Sequence, residues 1–82
     1  MTKTLAAKIN EALDAGMLVQ VATYLRATRV TAKTRDGWRK AGFEFFKADA
    51  EGNTYMIEGQ SKGRPRYVRL TNSGCKVQAF AQ

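Results

Sequence analysis

The chain has 82 residues and sets 14 lysines and arginines against 7 acids, a formal net charge of +7. That length bounds it to a single domain, residues 1–82, with a thin stability margin, and the charge favours nucleic acid, an anionic surface or an acidic protein as partner. With no histidine and one cysteine, the chain lacks the usual near-neutral general base, the commonest zinc ligand and any internal disulfide.

Residues 2–15 are predicted to form a helix. Leu5, Ile9, Ala12 and Leu13 fall on one apolar stripe. Thr2 or Thr4 is placed to cap its start, and Gly16 to end it in a left-handed turn. The stretch has too few consecutive apolar residues for a signal peptide or a membrane span. A cytoplasmic protein is the expectation, and the lone Cys75 fits a reducing compartment.

Residues 17–29 alternate Val19, Val21, Thr23 and Leu25 with Gln20, Ala22, Tyr24 and Arg26. One strand is expected, with Tyr24 and Arg26 outward; a helix is the alternative, because Val21, Tyr24 and Leu25 also share a helical face. Residues 30–42 read as a second helix, with Thr31 as N-cap and Gly42 as its stop. Val30, Thr34, Trp38 and Ala41 run down one side, so Trp38 is expected to anchor this helix to a sheet. Gly37 costs it about 1 kcal/mol relative to alanine.

A meander follows. Strands are expected at 43–47, 54–58 and 66–70, separated by a turn at 49–53 and a long turn at 59–65, and then at 76–80 after a turn over Asn72, Ser73 and Gly74. Within 66–70, Arg66 shares a face with Val68 and Leu70, and Tyr67 and Arg69 face the other way. The resulting expectation is an α+β two-layer sandwich, with two helices on one face of a four- to five-stranded, mostly antiparallel sheet. Its last strand leaves an edge with which a second copy can pair.

Catalytic chemistry finds little support. A hydrolase could pair two of the carboxylates, for example Glu44 and Glu58 across the hairpin, and solvated sheet faces and turn tips explain them better. Asp49, Glu51 and Asn53 lack the later ligands of a calcium loop. The glycines at 59 and 63, with Ser61 and Lys62, lack the order of a phosphate-binding loop. The expectation is therefore a protein that is not an enzyme and uses no cofactor or metal.

Charge, by contrast, is clustered. Arg26, Arg29, Lys33, Arg35, Arg39 and Lys40 face one acid, Asp36, over residues 26–40, and Lys62, Arg64, Arg66 and Arg69 face none over 62–69. The planar guanidinium fork suits phosphate, and Tyr67 beside Arg69 is placed to stack on a base. The candidate binding residues are Arg35, Arg39, Lys40, Lys62, Arg64, Arg66, Tyr67 and Arg69. The expected function is a small basic module that binds nucleic acid or a nucleoprotein surface, with no membrane partner.

The opening LAAKINEALDAG, the segment TYLRATRVT and the hairpin GNTYMIEG resemble short accessory proteins of bacteriophages and other mobile elements. Some of these inhibit host defence, anti-CRISPR proteins among them, by occupying a nucleic-acid site or a protein surface. The resemblance implies an inhibitor of a host nucleoprotein complex as the alternative function and assigns no site residues. The positive charge argues against mimicry of DNA.

Overall fold

A computed structural model describes residues 3–23, 26–70 and 74–82. The elements are α1 (Leu5–Asp14), β1 (Leu18–Thr23), β2 (Ala27–Val30), α2 (Ala32–Lys40), β3 (Phe46–Ala48), β4 (Thr54–Ser61), β5 (Arg64–Leu70) and β6 (Cys75–Phe80). The expectations for Thr2, Tyr24, Leu25 and the Asn72–Ser73 turn lie outside the described residues.

The fold is α+β, and its strands form two sheets rather than the expected one. The first has the order β2-β1-β6 and the second β3-β4-β5, all neighbours antiparallel. The single strand expected over 17–29 is two: β1 and β2 form a hairpin in register Val19↔Val30 and Val21↔Thr28. The helical alternative is excluded for the described residues of this stretch. The last strand does not extend the meander. It returns to β1, pairing Val21↔Val77 and Val19↔Ala79.

Helix α1 forms where the apolar stripe predicts. Thr4 caps it, its side chain accepting from the Ala7 amide at 3.1 Å. The next free amide, that of Ala6, donates to the Thr54 hydroxyl of β4 at 3.0 Å, which is why a threonine can be buried there. At the other end, Met17 N donates to Ala12 O and Gly16 N to Leu13 O, a Schellman closure that needs the positive φ of Gly16. Ile9 and Leu13 of α1 pack with Val19 and Val21 of the first sheet and Phe46, Met56 and Leu70 of the second. The helix is thus the shared wall on which both sheets build one core.

Helix α2 attaches differently from expectation. Thr31 stands at its N-cap without a side-chain cap bond, and Gly42 closes its end as predicted. Its buried residue is Arg35, however; Thr34 and Ala41 of the anticipated apolar stripe are exposed. Trp38 is half-buried and meets Phe43 edge-on at 6.2 Å.

The long turn expected over 59–65 is much tighter. Strands β4 and β5 continue to Ser61 and Arg64, and two residues, Lys62 and Gly63, make the turn with φ of 52° and 78°. Two positive φ values match the twist of a hairpin. Glycine supplies one of them at no steric cost, but lysine in place of the usual asparagine hid the turn from sequence reading. Pro65 lies inside β5, opposite Gln60; β5 is an edge strand, where a missing amide hydrogen is tolerated.

Candidate nucleic-acid interface

The positions of the acids decide where free positive charge remains. Glu11 pairs with Lys3, Asp14 with Arg35, Asp36 with Arg35 and Arg39, Glu44 with Arg39, and Glu58 with Arg26. Asp49 turns inward on its own loop, accepting from the amides of Glu51 and Asn53, the Asn53 side chain and the Tyr55 hydroxyl. The acids are thus largely occupied. Among the described residues, Lys8, Lys33, Lys40, Lys47 and Lys76 have neither an ion pair nor a side-chain hydrogen bond but are spread over the body of the fold, whereas Lys62, Arg64 and Arg66, which also have neither, stand together within five residues.

Those three cations stand on the β4–β5 hairpin, where every residue from Gln60 to Arg66 except the half-buried Pro65 is exposed. The pairing Ile57↔Tyr67 is followed by Gly59↔Arg66, which leaves Glu58 as a bulged extra residue. A bulge bends a strand and increases its twist, so it sets the direction in which the hairpin leaves the core. Two guanidinium groups meet this bulge. Arg26 donates to the Glu58 carbonyl at 3.0 Å, and Arg66 lies across Gly59, where an added Cβ would stand 3.2 Å from its Nη2.

The remaining expected site residues have other surroundings. Arg35 is corrected from a phosphate contact to an interior group. It is 3% exposed and donates to Asp14 at 2.7 Å, Asp36 at 3.0 Å and the Asn10 carbonyl at 3.1 Å. Arg39 is held by Glu44 at 2.8 Å, and that hydrogen bond fixes its proton more firmly still. Lys40 is exposed at the end of α2. Arg69 donates to the Asn53 side chain at 2.9 Å.

Tyr67 is not an open stacking platform. It is half-buried, its hydroxyl donates to the Glu44 carbonyl at 2.7 Å, and the Lys47 ammonium sits 3.8 Å from its ring centroid. Burial, with the charge of Glu44 second, raises its phenol pKa and keeps the donor proton in place. The alternation expected within β5 therefore divides the set: Arg64 and Arg66 face one way, Tyr67 and Arg69 the other.

Sequence reading missed Lys47 and Tyr55, which the pairing Lys47↔Tyr55↔Arg69 places in one row across the second sheet. Only the strand register could have revealed that row. Its cations are interleaved with Asp49 and Asn53, so it forms a self-satisfied polar network. Glu44 and Glu58, the one carboxylate pair considered for catalysis, are each committed to a different arginine.

The Asp49 network has a pH consequence. The Asn53 backbone and side chain, then the Glu51 amide and Tyr55 hydroxyl, hold the Asp49 carboxyl below its ordinary value. A depressed folded-state pKa contributes stability that is present above the unfolded value, about 4, and is lost as pH falls through the lower folded value. Asp49→Asn is expected to flatten the acid limb of a urea-midpoint profile measured below about pH 4. An unchanged limb contradicts that assignment.

Cys75 is half-buried, and burial raises its thiol pKa. A raised pKa leaves little thiolate. The full chain is expected to react with iodoacetamide at neutral pH more slowly than free cysteine does; an equal or faster rate contradicts the structural reading of this residue.

Strand β6 pairs with β1 and forms one edge of its sheet, with Phe80 44% exposed on it. No helix is long and apolar enough to cross a membrane, and no group of three potential metal ligands occurs among the described residues. No protein-family model matches the chain, no curated protein matches its sequence and no solved structure matches its fold.

Proposed function

We propose that the protein is a non-catalytic nucleic-acid-binding module that engages phosphate through the tip of the β4–β5 hairpin. The observation that carries this reading is the distribution of partners: acids occupy most of the arginines on the body of the fold, and Lys62, Arg64 and Arg66 are left exposed together on one arm. Three unneutralised cations within five residues form a local field that attracts a polyanion, and each phosphate they meet releases counterions. Lys40 and the exposed Lys33 extend the positive surface from α2.

Gel retardation with single- and double-stranded DNA and RNA at about 50 mM salt tests the reading. Retardation that weakens linearly in log salt is expected, and none with any of the four overturns it. A partner retained from lysate after nuclease digestion would move the assignment to protein docking, the mode that the mobile-element resemblance implies.

A further inference from the structure

The structure also bears on which nucleic acid is bound, and the inference rests on the reading just given. The second sheet offers two surfaces that carry basic groups with hydrogen-bonding or aromatic neighbours. On the outer row of the second sheet, Lys47 covers the Tyr67 ring, the Tyr55 hydroxyl is tied to Asp49, and Asp49 and Glu51 place negative charge beside the aromatics. A single strand laid there would set its phosphates against those carboxylates and have to displace an ammonium to stack. The other surface, the hairpin arm, carries no acid beyond the Glu58 bulge.

We propose that this arm is a two-stranded ribbon that enters the major groove of duplex DNA. Its shape fits that groove. Neighbouring strands lie about 4.8 Å apart and rise about 3.3 Å per residue, so the three residues beyond the bulge, Gly59–Ser61, give a reach of about 10 Å. The major groove of B-form DNA is about 12 Å wide and about 8.5 Å deep and admits such a ribbon. The groove of an RNA duplex is too deep and narrow to be read this way.

The chemistry of the arm fits as well. Gln60 and Pro65 are paired across one face, and Ser61 and Arg64 across the other, with Arg66 at the base. Glutamine forms bidentate bonds with the major-groove edge of adenine, and the arginines of the opposite face, with lysine at the turn, reach the phosphates that flank the groove. The type of turn matters here: a two-residue turn leaves a narrow tip, where a seven-residue loop would block entry. Arg26 positions the ribbon by holding the bulge from which it departs.

The test is fluorescence anisotropy of the full chain with four labelled 20-mers: a DNA duplex, the RNA duplex of the same sequence, and each single strand. The DNA duplex is expected to bind at least about tenfold more tightly than the other three. A ligand that fills the minor groove should leave that binding unchanged, and Gln60→Ala should alter the preference among duplexes of different sequence. Equal or tighter binding to RNA duplex or single strand, or displacement by the minor-groove ligand, overturns the ribbon assignment and leaves phosphate binding by the arm intact. Absence of binding to all four overturns both.

Discussion

Replacing Lys62, Arg64 and Arg66 together by alanine lowers nucleic-acid affinity by about a thousandfold at about 50 mM salt, with the difference closing as salt approaches about 1 M. The size follows from counterion release. Each phosphate contact contributes about 0.9 to the slope of log affinity against log salt, so removing three reduces that slope by about 2.7. All three residues are exposed and without partners, so their truncation leaves the core untouched and the urea midpoint unchanged. The control replaces Lys8, Arg29 and Lys76, which are also exposed and lie on α1, β2 and β6. The same loss of net charge from those positions changes affinity far less. If both triple variants lose affinity equally, binding follows overall charge, and the hairpin has no special role.

Arg35→Ala is expected to destabilise the fold by about 3 kcal/mol. The guanidinium bridges two helices: Asp14 and the Asn10 carbonyl belong to α1, and Asp36 to α2. Its loss removes several charge-assisted hydrogen bonds and the packing of a buried stem. The two acids are 62% and 52% exposed. They regain water when the arginine goes, so the cost stays below that of stranding a buried charge. Single domains of this length have a stability of about 4–12 kcal/mol, and the variant therefore spends a large part of it. A fall in urea midpoint at constant m measures the effect, and a change under about 1 kcal/mol shows that the bridge is dispensable. Folded Arg35→Ala should keep wild-type nucleic-acid affinity, because this side chain is interior. Loss of affinity in the folded variant would return it to the interface.

Arg35 also shows where local reading stops. Nothing in Thr34-Arg35-Asp36 distinguishes a solvated arginine from a buried one. The difference lies in Asp14 and Asn10, more than twenty residues earlier, which α1 brings against α2. The same applies to the strands. Alternation in 17–29 and the turn before 76–80 announced extended structure, and the partner choice β1–β6, spanning most of the chain, split the anticipated single sheet in two. Tyr67 was rightly placed on the face opposite Arg66, but its hydroxyl bond to Glu44 and the overlying Lys47 arise from β3 and the segment before it.

What the chain determined by itself is therefore what neighbours in sequence can settle. The stripe of α1, its Thr4 cap, the stops at Gly16 and Gly42, and the stretch of cations from Lys62 to Arg69 are written in adjacent residues. Backbone sterics and hydrogen bonds to the nearest amides act over a few positions, so such features survive any tertiary arrangement. Only the tertiary structure decided which cations stay free, because neutralisation depends on acids from distant segments. It removed Arg35, restrained Arg39 and left Lys62, Arg64 and Arg66 on an exposed ribbon.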